Sequence, residues 1–140
     1  MVYLFFYFLI IISVSTDIGG FTFGKIFKGP KLTKISPKKT YAGVIGSFIF
    51  SILIGTFFIK YYLNIYSNNI QFNNNFIFII CILSLISQIG DLIISYFKRL
   101  SKLDNTGELI PGHGGILDRI DGIIFVMPFF YLLNLFIKII

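Results

Sequence analysis

The chain's six carboxylates, Asp17, Asp91, Asp104, Glu108, Asp118 and Asp121, are the groups best suited to acid, base or metal chemistry. Asp91 stands inside an apolar run, with LIISYF between it and the first basic residue, Lys98. An ionised side chain at that depth in hydrocarbon costs about 3 kcal/mol or more unless something balances it. Gln88, Asp91, Ser95 and Lys98 follow one another at spacings of three, four and three, which is one stripe of a helix whose other sides are Ile, Leu, Tyr and Phe. Such a stripe faces a polar cleft. An interhelical hydrogen-bond seam accounts equally well for Gln88 and Ser95, but burying a carboxylate costs far more than burying a hydroxyl, so Asp91 points to function. Asp118 and Asp121, three apart, open the next apolar run, where the free amides of a first helical turn favour acids, so that capping alone accounts for one of them. Two carboxylates from that turn and Asp91 from a neighbouring helix can converge as hard oxygen ligands for Mg²⁺, which prefers carboxylate, water and phosphate oxygens. Arg119, between them, would point elsewhere and clamp a phosphate.

The segment LIPGHGGILDRIDG precedes that last run. Pro111, Gly112, Gly114 and Gly115 forbid a regular helix and let backbone amides approach an anion closely, as in phosphate-cradling loops. His113, in their midst, is a candidate donor to a phosphate oxygen, although a lone histidine is more often structural. No second histidine completes a zinc set, and no G-x-S-x-G follows GHGG to make an esterase. The basic stretch KISPKKT adds a second anion-friendly feature: Ser36 as N-cap and Pro37 at the first helical position would leave free amides beside Lys38 and Lys39. Upstream, GGFTFG is too weak to be a dinucleotide fingerprint, and no Walker lysine motif occurs.

Elements able to carry these groups must be membrane helices. Of 140 residues, 56% are hydrophobic, 19% aromatic and 13% charged, with mean hydropathy +0.87. A soluble domain of this size could not hide so much apolar surface, whereas helices facing lipid need not. The expected fold is all-α, a polytopic bundle of about four spans, near 2–20, 41–59, 76–97 and 122–140, with a polar cleft at one face, forming a single membrane domain over 1–140. The first span lacks the basic n-region and cleavage site of a signal peptide. SNNIQFNNN is a polar loop, and Cys81, alone in an apolar run, offers neither disulfide nor zinc spacing. Ten of the twelve basic residues fall between spans one and two, between spans three and four, or at the ends adjoining those loops, a face that the positive-inside rule makes cytoplasmic. All six acids belong to the same face. Topology and anionic headgroups account for lysines but have no use for carboxylates. A phosphate-and-metal site does, so the expected partners are a nucleotide and membrane lipid, with no nucleic acid.

GDLIISYFKR followed by TGELIPGHGGILDRID closely resembles the C-terminal signature of phosphatidate cytidylyltransferases, or CDP-diacylglycerol synthases, and DIGGFTFGKIFKGPKLTKISPKKTYAGVIGS resembles the block before it. The resemblance implies transfer of a cytidylyl group from CTP to phosphatidate with Mg²⁺, giving CDP-diacylglycerol and pyrophosphate, at the cytoplasmic face of a bacterial inner membrane. It implies Asp91 and Asp118, then Asp121, as metal carboxylates and Lys98, Arg99, His113 and Arg119 as catalytic cations and donors. Ser36, Lys38 and Lys39 match the earlier block as phosphate binders, joined by Ser95 and by Gly112, Gly114 and Gly115. Two stretches depart from the family pattern: Asp104-Asn105-Thr106-Gly107 stands where a Lys-Asp pair is usual, and Tyr41-Ala42-Gly43 where Trp-Glu-Gly is. Family members are also longer, with further N-terminal spans. The chain therefore matches a C-terminal catalytic half, as a fragment or one member of a split pair, working as a homo-oligomer or with a separate N-terminal membrane subunit. A CTP-dependent enzyme of another lipid phosphate or lipid alcohol, and a non-catalytic subunit or inactive remnant, remain as alternatives, with anion transport a weaker one.

Overall fold

Four helices make up the fold of the computed structural model, which describes residues 2–33, 36, 39–66, 74–101 and 117–137. They are α1 (Val2–Phe27), α2 (Tyr41–Tyr66), α3 (Asn74–Leu100) and α4 (Leu117–Ile137). The chain is an integral membrane protein: stretches of α1 (Phe5–Phe27), α2 (Tyr41–Tyr61) and α3 (Asn75–Leu100) are long and apolar enough to cross a bilayer. The described apolar stretch of α4, Asp121–Leu133, is shorter, and the helix continues through Pro128. Large side chains such as Phe21, Phe57, Phe78 and Tyr131 stand outward, as lipid rather than water allows. Helices α1 and α3 each pack against all of the other three, while α2 and α4 each pack on α1 and α3.

Polarity grades along the bundle. Towards the α1 N-terminus lies an apolar core of Phe8, Leu9 and Ile12 from α1, Ile59 from α2, Ile80 and Leu83 from α3, and Val126 and Phe130 from α4. Next comes a belt of buried hydroxyls. Ser13 and Ser87 share a hydrogen bond of 3.0 Å; the Thr16 hydroxyl lies 2.7 Å from the Ile12 carbonyl and 3.1 Å from Ser84 Oγ; Ser47 donates to the Thr16 carbonyl at 2.8 Å. Between helices in lipid, where apolar contact gives little drive to associate, small residues and such bonds supply the adhesion. Beyond this belt the interior becomes charged.

Glycine shapes the α1–α2 contact. Rather than ending near Gly20, α1 continues through Gly19, Gly20 and Gly24 to Phe27, because those glycines serve close helix approach instead of a flexible loop. A Cβ added at Gly43 would meet the Gly20 carbonyl oxygen at 2.7 Å, and one at Gly20 would meet Ser47 Oγ at 2.7 Å. Backbones this close exclude any side chain at the crossing.

After α1 the chain reverses tightly. Lys28 takes the left-handed conformation, φ 41°, the usual device for ending a helix. The return is clasped by a bridge between Lys31 and Thr40, with Leu32 N–H donating to the Lys39 carbonyl at 2.8 Å and Tyr41 N–H to the Pro30 carbonyl at 3.2 Å. The N-cap of α2 is Thr40, whose hydroxyl accepts from Gly43 N–H at 3.1 Å, and not Ser36. The Ser36 carbonyl instead accepts from Lys39 N–H at 3.1 Å, closing a turn that postpones the helix until the chain has folded back over the bundle.

Candidate active site

Where the hydroxyl belt ends, α1, the returning segment, α2, α3 and the start of α4 enclose a cavity of about 630 Å³. Its charged lining among the described residues is Asp17 from α1, Lys39 from the segment before α2, Asp91 from α3 and Asp121 from α4. Gln88, Ser36, Thr40, Thr16 and Ser47 add polar atoms, and Val14, Ile18, Phe21, Leu32, Val44 and Leu92 supply apolar wall. Lys39 forms an ion pair with Asp91, both side chains about one-quarter exposed. Asp121 is buried at 5% exposure, accepts from Gly122 N–H at 2.8 Å, and lines the cavity beside Asp91. Asp17 is near enough to Asp91 and Lys39 to feel both charges.

Three carboxyl groups against one ammonium leave this lining short of positive charge. Two carboxyls facing each other in a low-dielectric site are held together by a proton or a cation between them. Among the described residues no three His, Cys, Asp or Glu side chains stand close enough to enclose a metal by themselves. Mg²⁺ does not require that, since it keeps several waters and is commonly held by one or two carboxylates together with substrate phosphates. Asp91 and Asp121, both on the cavity lining, are the two carboxylates that could serve in that way.

This chemistry agrees with relationship by sequence. The pattern that defines the cytidylyltransferase family matches residues 1–137. The chain belongs to the cytidylyltransferase family. Its relatives include the phosphatidate cytidylyltransferase of Rickettsia typhi, 49% identical over 138 residues covering 94% of this chain and 58% of the relative. That of Haemophilus influenzae is 39% identical over 128 residues, 88% of this chain and 43% of the relative, and that of Bacillus subtilis 38% identical over 123 residues, 85% and 43%. The chain thus spans about half the length of the curated relatives it matches. Membership of this family agrees with the resemblance carried by the two sequence blocks.

Within the family member described here, Asp91, Asp121, Ser36 and Lys39 come together at one cavity although they lie on three separate segments. The stripe on α3 divides: Gln88 and Asp91 line the cavity, while Ser95, Lys98 and Arg99 continue along the helix, half-buried, half-buried and exposed. Lys98 and Arg99 both have interaction partners. Lys38, Gly112, His113, Gly114 and Gly115 lie outside the described residues, as do the side chains of Asp118 and Arg119, whose backbone belongs to the first turn of α4. Asp121 lies further into the helix than Asp118, and its carboxyl turns into the cavity rather than capping the first amides.

Asp17 belongs to no motif in the sequence that marks it as part of the site, yet it lines the cavity. The signal was available, because Asp17 interrupts an apolar span as Asp91 does, and an acid at that depth asks for the same compensation. In the string, SPKK is a more conspicuous helix start than KKT, which hides the capping role of Thr40.

Proposed function

We propose that this chain carries the catalytic cavity of an enzyme that transfers the cytidylyl group of CTP to phosphatidate, giving CDP-diacylglycerol and pyrophosphate. The observation that carries the reading is the meeting of Asp91, Asp121 and Lys39 at one cavity in a bundle built for lipid. The names of the rickettsial, Bacillus and Haemophilus relatives support phosphatidate over another lipid phosphate or alcohol. The basic loops support a cavity that opens to the cytoplasm, in a bacterial inner membrane.

In this reaction an oxygen of the lipid phosphate forms a bond to the α-phosphorus of CTP as the bond to the bridging oxygen breaks, and pyrophosphate leaves with that electron pair. A phosphomonoester is largely dianionic near neutral pH, so the attacking group needs little help from a base. What it needs is neutralisation and alignment of two anions that repel each other. Asp91 and Asp121 would hold Mg²⁺, which supplies charge neutralisation at the triphosphate. Lys39 presents an ammonium at the same cavity, and Ser36 and Thr40 offer hydroxyls beside it. The apolar wall of Val14, Ile18 and Phe21 suits a substrate whose reactive head is charged and whose remainder is hydrocarbon.

The test is formation of a labelled CDP-lipid by purified protein in detergent given phosphatidate, labelled CTP and Mg²⁺. It is run with the chain alone and with the portion of a longer relative that the chain does not span. Asp91→Asn and Asp121→Asn are each expected to abolish product in whichever arm is active. Full activity in both variants would remove the metal-carboxylate assignment, and no CDP-lipid in either arm would remove the reaction.

A further inference from the structure

Lys39 is held in place from both sides of its peptide. Its N–H donates to the Ser36 carbonyl and its carbonyl accepts from Leu32 N–H, while the neighbouring Thr40 is fixed by its bridge to Lys31 and by capping α2. The backbone at Lys39 and Thr40 is therefore pinned, and the flexible stem of Lys39 is free to redirect its charge. That charge is spent on Asp91, the carboxylate that also faces Asp121. A divalent cation seated between Asp91 and Asp121 would compete with the ammonium for the same acid and be repelled by it at short range. An arriving phosphate reverses the balance, because it offers the ammonium a new partner while bringing further oxygens to the cation.

We propose that Lys39 couples the two ligands of the site: it holds Asp91 against a divalent cation in the absence of nucleotide and transfers to phosphate when nucleotide binds, so that cation and nucleotide enter cooperatively. This rests on the cytidylyltransferase reading but goes beyond it, since a phosphate-binding lysine need have no effect on metal affinity in the absence of nucleotide. Coupling is reciprocal, so each ligand tightens the other by the same factor. Lys39 acts here by positioning charge rather than by reacting.

The probe is Mn²⁺, followed by electron paramagnetic resonance as loss of the free-ion signal on binding to detergent-solubilised protein. Measurements are made without nucleotide and then with CTP, with Mn·CTP formation in buffer measured in parallel. Lys39→Met should tighten Mn²⁺ binding in the absence of nucleotide by about tenfold, the size of an ordinary coupling between two ligands. It should also shrink the further tightening that CTP produces in the unaltered protein. Lys39→Arg, which keeps the charge, should behave as the unaltered protein does. Lys31→Met, which removes an exposed charge from the same strap, should change nucleotide-free binding less than about twofold. Equal Mn²⁺ affinity in Lys39→Met and the unaltered protein, an equal gain from Lys31→Met, or an undiminished CTP effect in Lys39→Met would each overturn the coupling while leaving the proposed reaction standing. Mn²⁺ binding that never responds to CTP in the unaltered protein, alone or with the portion of a longer relative that the chain does not span, would overturn both.

Discussion

Gly43→Ala tests how far the cavity depends on the approach of α1 to α2. The new methyl would stand 2.7 Å from the Gly20 carbonyl oxygen and 3.3 Å from Thr40 Oγ1. Ordinary contact begins near 3.4 Å, and the obstacle is backbone, so the helices must part by about 0.7 Å at the crossing. Overpacking of this kind costs about 1–3 kcal/mol, and the better helix propensity of alanine returns up to about 1 kcal/mol. The net expectation is destabilisation of about 1–2 kcal/mol. Gly55→Ala provides a milder comparison, since its methyl would meet side-chain carbons of the buried Ile80 at 3.0–3.4 Å and no backbone. Both variants, purified in the same detergent, are heated in steps, and the fraction surviving as monodisperse protein is read by size-exclusion chromatography. Gly43→Ala should lose its folded fraction at lower temperature than the unaltered protein, and Gly55→Ala should lie between the two. The same parting would separate Asp17 on α1 from Lys39 and Thr40 at the head of α2, so CDP-lipid formation should fall in Gly43→Ala even where it remains folded. Gly43→Ala as stable and as active as the unaltered protein would refute the claim that backbone contact at this crossing sets the cavity.

Lys28→Gly should raise thermal stability by up to about 1 kcal/mol, because Lys28 occupies the left-handed region that glycine enters without steric cost; an unchanged or lower melting point would count against that account. Thr40→Val should cost about 1 kcal/mol by removing the hydroxyl that caps Gly43 N–H, whereas Ser36→Ala should leave α2 stability unchanged in the same heating assay. Asp17→Asn should reduce CDP-lipid formation or apparent Mg²⁺ affinity on the order of tenfold, the effect of removing a group that supports metal ligands; activity at the unaltered level would place Asp17 outside the working part of the cavity.

The primary sequence determined the solvent and the helices and marked out candidate acids, because each depends on composition or on spacing along one helix. An apolar chain with a handful of acids gathered on one basic face is a membrane bundle with a polar site, whatever its packing. Asp91 could be singled out alone, since the cost of immersing a carboxylate follows from its neighbours in sequence. The relatives' shared blocks were legible for the same reason, as contiguous strings such as GDLIISYFKR. Which groups meet across helices was not legible. Lys39 pairs with Asp91 only because the strap folds back through Lys31 and Thr40, and Ser36 lost the capping role to Thr40 through that same fold. Asp17 joined the site only because α1 packs against α2, α3 and α4 around one cavity. Glycines 19, 20 and 43 stand at the ends of two spans in the string and become a helix contact only when two backbones are brought together. Burial cost is a one-body quantity that a sequence can state, but charge pairing and close packing are two-body quantities, and only tertiary structure supplies the second body.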